Sequence, residues 1–491
     1  MQIRGSVAVL DVPPWGTRDV ESIDIHEMTT AASEVAENPK AGQTLHRYDA
    51  EAQQLAETVF DFVRSRLGNT PQSIDPVPTA SELQVHTGEL ITETGLGANL
   101  AFRSLTDLLS AQSFPVTHPR ALSFVNHSPA VSATLADIAL SAASVFADWW
   151  LDGAGAIHAE NQALRWLADL AGFPESAGGT FLSGGTVANL TAMHVARCTW
   201  VARNGRSDKL AIAATREAHS SIRLAARVLD VELVTVPGDE LGRMTEAALA
   251  EMLATTDRDI FVVATTSGCT NNGAIDDLRG VAAICQERNL WFHVDGAYGG
   301  GALASRTARP LFAGIELADS LVIDPHKWLF APVDCSTLLY RDPEHARRAN
   351  TQAADYLDVI DGATEWNPSD YGIHMTRRAR GVPLWFTLVA HGTEAFDSAI
   401  DTCLSVAKDA AKAIDESNHL QLVCEPQLSV VLFRRVGWDR EEYLAWSREL
   451  ERTGLGQVVP TSWNGEMVLR ICVVNPRTTV NDIRQILETL K

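Results

Sequence analysis

The stretches LWFHVDGAYGG (residues 290–300) and SLVIDPHKWLF (320–330) decide the fold of this chain. Each opens on a short run of apolar residues and then meets a charge, Asp295 in the first and Lys327 in the second, 32 residues later. Three further runs have the same character: KLAIAAT (209–215), VELVTVP (231–237) and DIFVVATT (259–266). Near-continuous Val, Ile, Leu and Phe is the mark of strands buried on both faces. Helical patterns such as TEAALAEMLAT (245–255) and LRGVAAICQER (278–288) lie between them. The alternation predicts an α/β domain with a mainly parallel sheet.

Outward from that centre the pattern changes. Residues 1–43 are polar and Pro-rich without a sustained period, which predicts a weakly ordered N-terminal extension. Residues 44–117 hold two amphipathic helices, HRYDAEAQQLAETVFDFVRSRL and NLAFRSLTDLLS, joined by the Pro-rich GNTPQSIDPVPTA. Such a pair has little core of its own and is expected to pack on something else, a second subunit being the natural choice. The large domain is expected over 118–390, and a small C-terminal α+β domain over 391–491. The latter rests on the long helical pattern of 382–414, the alternating runs LQLVCEPQLSVVLFRRV and EMVLRICVVNP, and a closing helix TVNDIRQILETL.

Composition limits the function classes. The 491 residues are 46% hydrophobic and 21% charged, which fits a globular protein with more than one packed unit. A net charge of −22 with scattered Lys and Arg argues against nucleic acid and anionic membranes as partners. The seven cysteines are widely spaced with no C-x-x-C pair, which points to free thiols in a reducing compartment. No apolar run approaches ~18 residues and no basic segment precedes an apolar block at the N-terminus, so the expectation is a cytoplasmic protein. No H-E-x-x-H or Cys/His cluster suggests a metal.

In an open α/β sheet the ligand crevice lies beyond the strand C-terminal ends. Four such ends bring His219 (in REAHSS), Thr270 (in TTSGCTNNG), Asp295 and Lys327 to one crevice. A Ser-Gly-Gly-Thr turn opens the helix of GGTFLSGGTVANLTAMHVAR (178–197), supplying bare backbone N–H groups for a phosphate. A P-loop is absent, so a nucleoside triphosphate is not indicated. A lysine amine, a carboxylate and a phosphate cradle suit pyridoxal 5'-phosphate. Alone, Asp295 reads as a cap and Lys327 as a surface lysine. Together, with Lys327 between DPH and WLF, they read as a site whose apolar neighbours depress the lysine pKa.

HVDGAYGG followed by DPHKW, with HPRALSF, LADIALSAAS, SGGTVANL, HSS, DCS and LRICVVNPRTT in order, resembles the group II pyridoxal-phosphate amino-acid decarboxylases. These are the aromatic-L-amino-acid, histidine and glutamate decarboxylases, and the similarity runs from about residue 45 to the C-terminus. The resemblance implies a fold-type I enzyme, a homodimer with shared active sites, and a small amino acid as substrate. Lys327 would bind the cofactor covalently, and Asp295 would pair with the pyridine N–H, with Ala297 beneath the ring. His219 would stack on the other face. Gly185, Thr186 and His326 would hold the phosphate, and Thr270 would support Asp295. Asp324 stands where relatives usually carry asparagine, and an acid there needs a donor or a proton. In this family a mobile loop presents a tyrosine that protonates carbon after carbon dioxide leaves. Tyr356, 29 residues after Lys327, is in that register, whereas relatives with phenylalanine there make an aldehyde.

The resemblance therefore implies decarboxylation of an L-amino acid to its amine, with Lys327, His219 and Tyr356 as the catalytic set. The apolar Phe124 favours an aromatic or bulky apolar substrate. Phe146, Trp149 and Trp150 fit either a substrate pocket or a core. His127 and Arg120 leave an acidic substrate open, and WWLDGAGAIHAE (149–160) departs from the aromatic members on the substrate side. The alternatives are an acidic or aliphatic substrate (glutamate, aspartate, 2,4-diaminobutyrate, valine), an aldehyde synthase, or a non-catalytic cofactor-binding protein. Arg470 fits a site contact or a structural ion pair equally, and Ser405 to Lys408 reads as a chance Ser-x-x-Lys within a helix.

Overall fold

The structure is a computed structural model that describes residues 44–69, 74, 77–110, 113–351 and 365–491. Two compact units divide them. The smaller holds the described part of Met1–His118 with Arg448–Gly456, and the larger holds Pro119–Ser447 with Gln457–Lys491.

In the smaller unit the helices are Ala50–Gly68, Ala80–Thr87 and Ala98–Ser110. Asp49 caps the first by accepting from the Ala52 amide, and Thr79 with Glu82 forms a reciprocal capping box on the second. Phe62 and Phe102 meet edge to face at 5.9 Å. Neither of the first two helices buries a residue. The helix Ala80–Thr87 was not read from the sequence, which gave two helices here rather than three.

The larger unit is built on a seven-stranded sheet: β1 (Gly178–Leu182), β2 (Leu210–Thr215), β3 (Glu232–Val236), β4 (Asp259–Thr266), β5 (Trp291–Asp295), β6 (Ser320–Ile323) and β7 (Ser336–Tyr340). Their order is β1-β7-β6-β5-β4-β2-β3, with only β7 antiparallel to its neighbours. Strand C-terminal ends from β1, β2, β4, β5 and β6 therefore emerge at one edge, which is where a crevice forms. The five runs read from the sequence are β2 to β6. The helix Gly185–Asn204 lays Ala188, Ala192, Met193, Val195 and Ala196 into the core formed with Ile212, Ala214, Val262, Ala264 and Val322. Fully burying a large side chain such as Met193 or Val195 contributes about 1.5–3 kcal/mol.

The C-terminal sheet is antiparallel throughout, in the order β10-β11-β9-β8, from β8 (Leu420–Leu422), β9 (Val430–Arg435), β10 (Thr461–Trp463) and β11 (Glu466–Cys472). The helix Thr393–Asp415 packs on β8 and β9, and Val480–Glu488 packs on that helix. The single long helix expected over 382–414 is two, Val382–His391 and Thr393–Asp415. Gly392 divides them at φ +73°, a left-handed conformation that costs glycine nothing.

Candidate active site

β6 ends at Ile323, and the next residues form one helical turn, Pro325–Trp328, whose N-cap is Asp324. The turn swings Lys327 back over the sheet edge, into a cavity of about 270 Å³. Ser183, Gly184, Gly185, Thr186, His219, Thr270, Asp295, Ala297, Asp324 and His326 also line it. Every site residue proposed from sequence that lies among the described residues meets there. Tyr356 lies outside the described residues.

Asp295, the last residue of β5, is 5% exposed. Asn189 Nδ2 donates to its Oδ2 at 2.8 Å, and the Ala297 amide donates to Oδ1 at 3.1 Å. Thr270, expected to support Asp295, lines the cavity without a hydrogen bond to it among the described residues. Asn189 has that role. The sequence did carry a signal for it: Asn189 lies three and four residues beyond Thr186 and Gly185, on the same helix face.

The pairing of Lys327 reverses one expectation. Burial alone pushes the ammonium pKa down, but Asp324 Oδ2 lies 2.9 Å from Nζ and Asp295 adds its charge, so the net shift is upward. Asp324, 2% exposed, also accepts from Ser336 Oγ at 2.5 Å, which is the donor that an acid at this position requires. A Cβ on Gly185 would approach Asp324 Oδ2 to 3.0 Å and Ala297 Cβ to 3.2 Å, so a side chain at Gly185 would crowd both.

His326 Nδ1 lies 2.5 Å from the Cys335 carbonyl, so its hydrogen is on Nδ1, and Nε2 faces Asp324 at 3.9 Å. His127 is near enough for the charge of His326, together with the larger effect of burial, to hold its pKa down. At the helix start, Val187 and Ala188 both donate to the Gly184 carbonyl, leaving the Gly185 and Thr186 amides for an anion. Glu217 also lines the cavity and accepts from Asn271 Nδ2 at 2.9 Å. No cation pairs with it among the described residues.

Phe124, Phe146, Trp149 and Trp150 do not line this cavity. Phe124 is 61% exposed, Phe146 is exposed, and Trp150 packs with Ala147, Ile157 and Ala379. Glu160, the last residue of the divergent stretch 149–160, is a core residue in a buried ion pair with Arg377. Arg470 is 6% exposed, makes no ion pair among the described residues, and donates from Nη2 to the Phe124 carbonyl at 3.0 Å. Ser405 and Lys408 lie within the helix Thr393–Asp415.

Residues 107–436 match the family model described as the pyridoxal-dependent decarboxylase conserved domain. The chain belongs to the pyridoxal-dependent decarboxylase family. This decarboxylase is 31% identical to an aromatic-L-amino-acid decarboxylase of Bacillus atrophaeus, over 82% of this chain and 87% of the relative. It is 33% identical to an L-2,4-diaminobutyrate decarboxylase of Rhizobium meliloti (strain 1021), over 82% and 83%. Among solved structures, mouse CSAD superposes with a TM-score of 0.81 at 25% identity, covering 90% of this chain and 98% of that one. The protein is a pyridoxal-phosphate-dependent amino-acid decarboxylase of fold type I. The donor set fits the cofactor: an amine, a buried carboxylate with lone pairs to spare, free helix-start amides and a glycine where a Cβ would crowd its neighbours. Among the described residues no helix is long and apolar enough to cross a membrane, and no cluster could hold a metal ion.

Proposed function

We propose that this decarboxylase converts an L-amino acid with an aromatic or bulky apolar side chain to its amine. The substrate class rests on the apolar choice at Phe124, which lies off the cavity wall on a loop anchored through its backbone and neighbours. Ser123 Oγ accepts from the Val459 amide at 2.8 Å, Arg470 holds the Phe124 carbonyl, and Asn126 Nδ2 donates to Ala121 O at 3.0 Å. The loop thus holds an exposed aromatic ring at φ +56°, and three residues on His127 stands beside the cavity residue His326.

The bound cofactor supplies an electron sink for the pair left behind by carbon dioxide. Lys327 would supply the amine that binds it, and Asp324, at 2.9 Å, stabilises the ammonium form that must lose its proton first. Asp295 holds the positive charge at the pyridine nitrogen. Ala297 and His219 bound the two ring faces, and Thr270 forms part of the wall. Gly185, Thr186 and His326 hold the phosphate. Tyr356 returns a proton to the α-carbon, which favours the amine over an aldehyde.

One observation favours a second reading. Glu217 is a carboxylate on the cavity wall with an amide partner and no cation among the described residues, which suits a substrate with a distal ammonium group such as 2,4-diaminobutyrate. Carbon dioxide release from L-tryptophan, L-tyrosine, L-phenylalanine, L-2,4-diaminobutyrate, L-glutamate and L-cysteine sulfinate separates the readings. Selective release from the aromatic acids, with KM raised by Phe124→Ala, is the expected result. Release from diaminobutyrate alone, abolished by Glu217→Gln, would replace it with the second.

We also propose a homodimer in a reducing, cytoplasmic setting. The helices Val131–Ala143 and Val382–His391 pack together and leave Val131, Leu135, Phe386 and Val389 exposed, an apolar face that a second copy would cover. All seven cysteines are free thiols, as suits that compartment. Sedimentation at micromolar concentration should give a dimer mass; a monomer mass would count against the shared site.

A further inference from the structure

A chain of buried hydrogen bonds beside the cavity starts at a group that can only donate. The Trp291 indole N–H donates to Ser320 Oγ at 2.8 Å, and an indole has no acceptor to offer in return. Ser320 Oγ also lies 2.8 Å from His293 Nδ1. At the other end Asp295, a carboxylate that can only accept, takes an Asn189 amide hydrogen and turns Asn189 Oδ1 to His293 Nε2, so Nε2 carries the hydrogen and Nδ1 of a neutral ring accepts from Ser320. His293 is completely enclosed, and burial, opposed only by the charge of Asp295, brings its pKa down to about 4, so the ring is neutral at pH 7. With Nδ1 accepting, its hydrogen sits on Nε2, 2.9 Å from Asn189 Oδ1.

The Asp295 contact fixes which way the Asn189 amide points. Its oxygen is taken by His293, so both Nδ2 hydrogens face the other way, to Asp295 Oδ2 at 2.8 Å and Ser221 Oγ at 2.9 Å. Ser221, having accepted, sends its own hydrogen to His219 Nδ1 at 2.9 Å, and the Ser221 backbone amide donates to the same nitrogen at 3.3 Å. A neutral His219 therefore carries its hydrogen on Nε2. The five residues from Trp291 to Ser221 are each less than a tenth exposed, so water is poorly placed to reverse the order.

We propose that Trp291, Ser320, His293, Asn189 and Ser221 are positioning residues that enforce one direction of hydrogen bonding, aiming the Asn189 amide at Asp295 and fixing His219 in its Nε2–H tautomer. Asp295, which would pair with the pyridine nitrogen, and His219, which would bound the ring, are thereby set as one unit. The catalytic meaning of the unit rests on the cofactor reading above; the hydrogen-bond direction does not.

Nitrogen NMR of the cofactor-free protein with ¹⁵N-labelled histidine reads the direction. The expected result is an Nε2–H ring at His293 at pH 7 and, for the neutral form of His219, the Nε2–H tautomer; a neutral Nδ1–H form of either overturns the proposal. His293→Phe should weaken cofactor binding by about tenfold and His293→Gln, whose amide can still donate to Asn189, should recover most of it. Equal loss in both would mean a packing role alone. Because the NMR experiment contains no cofactor, its failure leaves the cofactor assignment standing.

Discussion

Glu160→Gln tests the energetics of the buried ion pair that anchors the end of the stretch 149–160. Glu160 and Arg377 are 2% and 1% exposed. Both carboxylate oxygens accept from Arg377 Nη2, at 2.8 and 2.7 Å, and Oε1 also accepts from the Gly381 amide at 2.8 Å. Glutamine keeps the volume and the Gly381 bond, but it turns an N–H group towards a guanidinium that can only donate, and it leaves a buried cation short of its counter-charge. Removing one partner of such a pair costs about 3–5 kcal/mol. Some of that loss is offset because Asp148 stays close, accepting from the Arg377 backbone amide at 2.8 Å. Urea unfolding of Glu160→Gln, Arg377→Met and the double variant should give single losses of about 3 kcal/mol or more and a coupling of about 0.5–3 kcal/mol. A loss within about 0.5 kcal/mol for Glu160→Gln, the range of ordinary surface changes, would refute the reasoning.

Burial is the largest influence on Asp148 and raises its pKa from 3.8 to about 6, against the pull of Arg377. Between those values the native state holds a proton that the unfolded chain has lost, so stability falls as pH rises through this window and levels off above it. Asp148→Asn should flatten that slope, seen as unfolding midpoints between pH 4 and 7; an unchanged slope would assign it to other groups. Asp324→Asn removes the charge that holds the Lys327 pKa up, so burial then dominates and the pH profile of cofactor attachment should move to lower pH. A profile unmoved in absorbance titrations would mean that Asp324 does not control the lysine.

The sheet was legible because β2, β4, β5 and β6 are buried on both faces, and continuous apolar runs leave few other readings; the edge strand β3 was read from its β-branched residues despite its exposure. β1 and β7 were not read, since GGTFL and STLLY are five residues each and blend into the turns around them. The split at Gly392 was hidden because apolar periodicity continues on both sides of it. Asp295 and Lys327 stood out as charges at strand ends, yet the sign of the lysine shift depended on Asp324 reaching Nζ, a distance no spacing rule supplies. His293 precedes Asp295 by two on β5 and so shares its face of the sheet, a pattern that could have drawn attention to it. Its partner Ser320 lies on β6, in register with it, which only the strand pairing reveals.

The central claim is that Lys327 holds the cofactor. Borohydride reduction of the protein loaded with pyridoxal phosphate, followed by peptide mapping by mass spectrometry, tests it most directly. A phosphopyridoxyl group on Lys327 alone is the predicted result. Label on another lysine, or none in a folded protein, would contradict the account.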